Sequence, residues 1–97
     1  MTNVEGRMTK EKSFENLRVF ADARQLANRI FDLTSSPAFA KEFALVNQMR
    51  RAAVSVLSNI AEGYERETDS EFGRFLYVAK GSCGELRAIF CCVATAA

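Results

Sequence analysis

Chemistry near neutral pH needs a nucleophile, a proton carrier or a metal ligand, and this sequence offers few of them. Histidine is absent, which removes the commonest general base and the commonest transition-metal ligand. The three cysteines, Cys83, Cys91 and Cys92, form neither a CxxC pair nor an even disulfide framework. Adjacent positions on a helix point about 100° apart, so Cys91 and Cys92 suit a shared soft metal poorly. The thiols read instead as packing groups, Cys83 in the core and the other two half-exposed. The most site-like grouping is polar: Arg51, Ser55, Asn59 and Glu62 recur at helical spacing on one face, with Gln48 before them and Gly63 after. A catalytic reading leaves one carboxylate beside an arginine, without a second acid on that face, which is a poor acid–base constellation. A seam of hydrogen bonds fixing register between helices or subunits is the better reading. A second grouping, Arg74, Tyr77, Lys80 and Arg87, sets basic residues beside an aromatic, a minimal nucleic-acid footprint. Three charges are few, and a solvated helix face explains them more simply. The expectation is a protein that is not an enzyme, with no cofactor, no metal and no small-molecule substrate.

Helices must position these residues. The 97 residues suit one domain, and an apolar fraction of 48% suits a folded one. So short a chain buries only about 60–65% of its unfolded surface, which predicts a thin stability margin. Net charge is +1, giving no general pull toward nucleic acid or anionic membranes. No apolar run approaches a membrane span of about 20 residues and the N-terminus carries no signal core, so a cytoplasmic location is expected.

Residues 1–12 read as a flexible tail and 13–97 as a helical-bundle domain, with helices over about 14–34, 41–62 and 69–94. Ser13 is a candidate cap for the first helix, in which Val19, Phe20, Ala23, Leu26, Ala27 and Ile30 share one face. Ser35-Ser36-Pro37 stops it. The second helix carries a broad apolar arc with Arg50 inside it, and Gly63 reads as its C′ residue. That arc is wider than two neighbouring helices can cover, which predicts a homo-oligomer. Thr68 and Glu71 form a capping-box signature for the third helix. Its interior glycines, Gly73, Gly81 and Gly84, cost about 1 kcal/mol each relative to alanine, which predicts close approach of another backbone. The segment 88–97 is apolar and lacks a stop signal, so cover by another chain or a missing fourth helix is expected.

Four segments occur in a recognisable order. They are Phe14-x-x-Leu17, the run from Gln48 to Val56, Ser58-Asn59-Ile60-Ala61-Glu62-Gly63, and Phe72-x-x-Phe75-Leu76-x-x-Ala79-x-Gly81-Ser82-x-x-Glu85-Leu86. Together they resemble the four helix bundle family encoded by intervening sequences in large-subunit ribosomal RNA genes. The resemblance implies an antiparallel, all-α up-down bundle of undetermined biochemical role that assembles as a pentamer. It also implies kinship with the accessory proteins of diversity-generating retroelements, which partner a reverse transcriptase and contact nucleic acid through a strongly basic surface. Two departures stand out. Relatives carry a fourth helix that does not appear here, and they often have proline where this chain has Leu57. The resemblance therefore implies a scaffold or adaptor, with an RNA- or reverse-transcriptase-associated accessory protein as the alternative.

Overall fold

The structure, a computed structural model, describes residues 14–96, so the expected tail over 1–12 and the Ser13 cap lie outside the described residues. A 3-10 turn over Phe14–Asn16 leads into α1 (Arg18–Thr34). A second over Pro37–Phe39 leads toward α2 (Phe43–Tyr64), and α3 follows over Asp69–Ala96. Among the described residues every regular element is helical, and the chain is all-α. Consecutive helices run antiparallel, with α2 in the middle. Helices α1 and α3 each pack along α2 but not along each other.

The ends of these helices follow from local chemistry. Helix α1 starts at Arg18 because Phe14 folds back edge-on to Phe20, ring centroids 4.8 Å apart, and the Leu17 carbonyl accepts the Ala21 N–H at 3.1 Å. At its other end Thr34 Oγ1 donates to the Ile30 carbonyl at 2.7 Å and Ser35 Oγ to the Phe31 carbonyl at 2.8 Å. These bonds compete with continuation of the ladder. Ser36 is extended, as the residue before a proline tends to be. One half of the expected capping box forms, with Thr68 Oγ1 accepting the Glu71 N–H at 3.1 Å.

Gly63 corrects the sequence reading. It lies within α2 rather than beyond its end, and no glycine among the described residues has positive φ. Its lack of a side chain serves packing instead: a Cβ there would stand 2.6 Å from Phe75 Cβ and 3.0 Å from Phe72 Cδ1. Helices α2 and α3 come together over this position. Gly73, Gly81 and Gly84 behave oppositely, with nothing within 4 Å of a Cβ at any of them. Among the described residues the close backbone expected there does not appear.

The core consists of two clusters along α2. One joins Ala27, Ile30, Met49, Ala52, Ala53 and Leu86. The other joins Phe20, Ala23, Val56, Ile60 and Ala79. Leu57 packs against both. Of these eleven buried apolar residues five are alanines, each bringing one methyl group where a Leu or Phe would contribute about 1.5–3 kcal/mol. The core is therefore thin. Cys83 does not belong to it. All three cysteines are exposed, because α1 does not reach across to cover the row of α3 on which Cys83 stands.

Candidate functional site

The polar seam forms at its centre only. Ser55 and Asn59 are half-buried on α2. Asn59 Nδ2 donates to the Ser55 carbonyl at 2.8 Å and to Ser55 Oγ at 3.1 Å. Ser82 Oγ of α3 donates to the same Ser55 Oγ at 2.8 Å, a hydrogen bond between helices. In the sequence Ser82 stands out only through the family pattern, but its phase marks it: three residues after Ala79 and four before Leu86, it falls on the packed side of α3. The other members of the grouping stand apart. Gln48, Arg51 and Glu62 are exposed, and Glu62 pairs with Arg66 at 2.9 Å on the surface. Gly63 is buried for the packing reason given above. The seam thus joins two hydroxyls and an amide with no acid or base among them. Such an arrangement holds register and activates nothing. Among the described residues no group of three or more Cys, Asp or Glu could hold a metal ion.

Arg50 does more than its place in an apolar arc suggested. Its Nε donates to Thr34 Oγ1 at 2.9 Å and its Nη2 to Ser35 Oγ at 3.2 Å. Its guanidinium lies 4.8 Å from the centre of the Phe31 ring. The two hydroxyls in turn donate to carbonyls of the last turn of α1. A cation of α2 therefore sits at the negative end of the α1 dipole, where it is favoured. Beside it an open groove on α2 is lined by Arg50, Arg51, Val54, Ser55 and Ser58.

The basic grouping on α3 is fully exposed, Tyr77 at 75%, yet it is not one stripe. Arg74 leans over the Phe75 ring at 5.8 Å, and Arg66 approaches that ring at 4.9 Å. Lys80 and Arg87, a heptad apart, lie on the other flank of α3 by helical phase, with Tyr77 between the flanks. Large apolar side chains are exposed around the whole molecule. Phe43 is 76% exposed, and Val19, Phe31, Leu33, Val54, Val78 and Phe90 are all open to solvent.

With that geometry in place, comparison with known proteins gives one match. A family model described as 23S rRNA-intervening sequence protein matches residues 15–95, which span all three helices. No curated protein and no solved structure matches the chain.

Proposed function

As the chain belongs to the 23S rRNA-intervening sequence protein family, we propose that it is a non-catalytic, self-associating helical-bundle protein serving as a scaffold or adaptor. One observation supports this above the rest: alanines fill much of the core while phenylalanine, leucine and valine side chains stand outside it. A small domain has little stability to spare, and exposed apolar surface on that scale marks contact surfaces. A pentamer is the assembly that the family resemblance suggests. The seam of Ser55, Asn59 and Ser82 fits a part whose task is to hold shape. A cytoplasmic location belongs to the same reading; no helix among the described residues is long and apolar enough to cross a membrane. Sedimentation at micromolar concentration tests the proposal. The expected species lies well above the 10.8 kDa of one chain, and a clean monomer with a cooperative melt would overturn it.

Association with RNA or a reverse transcriptase is the second reading, favoured by the exposed Tyr77 beside Lys80 and Arg87. Phosphate binding scales with the number of clustered cations, and a net charge of +1 weighs against it. Fluorescence anisotropy with single-stranded RNA at low salt decides the point. Absence of binding removes this reading, and salt-sensitive binding lost in K80A/R87A supports it.

A further inference from the structure

We propose that the groove on the outer flank of α2, lined by Arg50, Arg51, Val54, Ser55 and Ser58, receives the acidic α2–α3 turn of a second copy of this chain, so that copies associate head to tail. The proposal rests on the self-association advanced above and names the two surfaces that meet in it.

The groove suits an anion. Its volume is about 440 Å³, and no acid lines it. Neighbouring positions leave a helix about 100° apart, yet the long arginine stems let both Arg50 and Arg51 border the same space. Arg50 is held in place by the Thr34 and Ser35 hydroxyls and by the Phe31 ring. Those partners are neutral, so they fix the cation without cancelling its charge. Arg51 is exposed, and among the described residues neither arginine pairs with a carboxylate. Ser58 Oγ adds a hydroxyl whose bond to the Ser55 carbonyl is a long 3.4 Å. Val54, largely open to solvent, supplies methyl groups between the polar members. Two cations, a hydroxyl and an apolar floor together fit a carboxylate on an aliphatic stem, which is a glutamate side chain.

The chain carries that side chain at one end. Residues 65–71 hold Glu65, Glu67, Asp69 and Glu71 against Arg66, four acids less one base for a net −3, and all are exposed. The chain as a whole is +1, so its charge is segregated rather than absent. Neither Glu65 nor Glu67 is in an ion pair among the described residues. The turn cannot fill the groove of its own chain. Arg51 and Glu65 lie on one continuous helix, about 21 Å apart along its axis, farther than the two side chains together extend. Another copy can bring the acids there, and the presence of both surfaces in one chain favours it over a foreign acidic protein. Because groove and turn are different patches, the contact is heterologous. Each copy keeps one patch for the next, and the series closes into a ring where the rotation allows. That agrees with the pentamer suggested by the family resemblance.

Sedimentation equilibrium tests this, with circular dichroism confirming that each variant is folded. R51E and E65Q/E67Q alter exposed positions outside the core. Each should raise the dissociation constant about tenfold, and added salt should weaken the wild type in the same direction. The wild type should exceed two copies. Just above the wild-type dissociation constant, an equal mixture of the two variants should give a species of twice the mass of one chain and no larger. R51E keeps an intact turn and E65Q/E67Q an intact groove, so one contact forms and cannot propagate. If the wild type self-associates but R51E leaves its dissociation constant unchanged, the groove has another occupant; the proposal falls and self-association stands. A wild type that stops at two copies, or a mixture that recovers no pair, overturns the proposal in the same way. A monomeric wild type overturns both readings.

Discussion

Substituting Gly63 by alanine probes the point where the α2–α3 pair depends on the absence of a side chain. The new Cβ would meet Phe75 Cβ at 2.6 Å, Phe72 Cδ1 at 3.0 Å and Phe75 Cγ at 3.2 Å. Carbon atoms rest at about 3.5–4.0 Å, so the closest approach falls about 1 Å short. Phe75 Cβ is fixed to its backbone and cannot rotate away. The helices must part, loosening the edge-on contact of Tyr64 with Phe72, now at 5.7 Å. Overpacking of this kind costs about 1–3 kcal/mol, and a clash against a Cβ belongs at the upper end. Alanine returns about 1 kcal/mol of helix propensity. The net loss is about 2 kcal/mol, or a fall in Tm of roughly 8–16 °C for a domain of this size. Gly81→Ala and Gly84→Ala provide the opposite sign. Nothing lies within 4 Å of either position, so each should gain about 0.5–1 kcal/mol from propensity alone. Thermal melts followed by far-UV circular dichroism, at one fixed protein concentration because association shifts the midpoint, measure all three. A Gly63→Ala protein that melts at or above the wild type would refute the close-approach account. So would Gly81→Ala and Gly84→Ala variants that fall as far as it does.

Arg50→Met keeps the stem but removes the bonds to Thr34 and Ser35 and the stack on Phe31. It should cost about 1–2 kcal/mol in urea unfolding, with much of that loss shared by Thr34→Val in a double-mutant cycle; additive losses would show that the two do not act together. Asn59→Ala should cost about 1 kcal/mol through the lost bonds to Ser55. Glu62→Ala, which breaks only a surface pair with Arg66, should stay within about 0.5 kcal/mol. Equal losses at the two positions would mean that Glu62 shares the seam in the assembled protein.

Helical class was legible because the apolar residues repeat at 3.6 along each segment, and Ile30, Met49, Ile60 and Leu86 are all buried. What periodicity could not supply was how far each neighbour reaches. Cys83 and Phe90 share the apolar face of α3 with Leu86, yet they are exposed, because α2 covers one side of that face and α1 stops short of the other. Gly63 shows a second limit. Glycine near a helix end signals a left-handed cap as readily as a tight crossing, and only the position of Phe75 distinguishes the two. The seam failed in the same way: spacing put Arg51, Ser55, Asn59 and Glu62 on one face, but α3 covers only the side of that face where Ser82 meets Ser55. The partners of Arg50, Thr34 and Ser35, lie at the end of another helix, which no local pattern encodes.

The alanine-rich core and the exposed large side chains are two consequences of one arrangement. With α1 and α3 both resting on α2, the residues at their junction set how near the two can come. Ala23, Ala27 and Ala79 are buried there beside Phe20, Ile30 and Leu86. Larger side chains there would fill the space within one subunit, raising its own stability through burial while closing the opening above. Small ones leave Leu26 and Leu76 each half-covered, with their outer atoms available to another helix. A chain built this way gains less from folding alone than one with a fuller core. The self-association proposed above would therefore make its melting midpoint rise with protein concentration, as happens wherever a binding partner is specific to the folded state; a midpoint independent of concentration would refute that link.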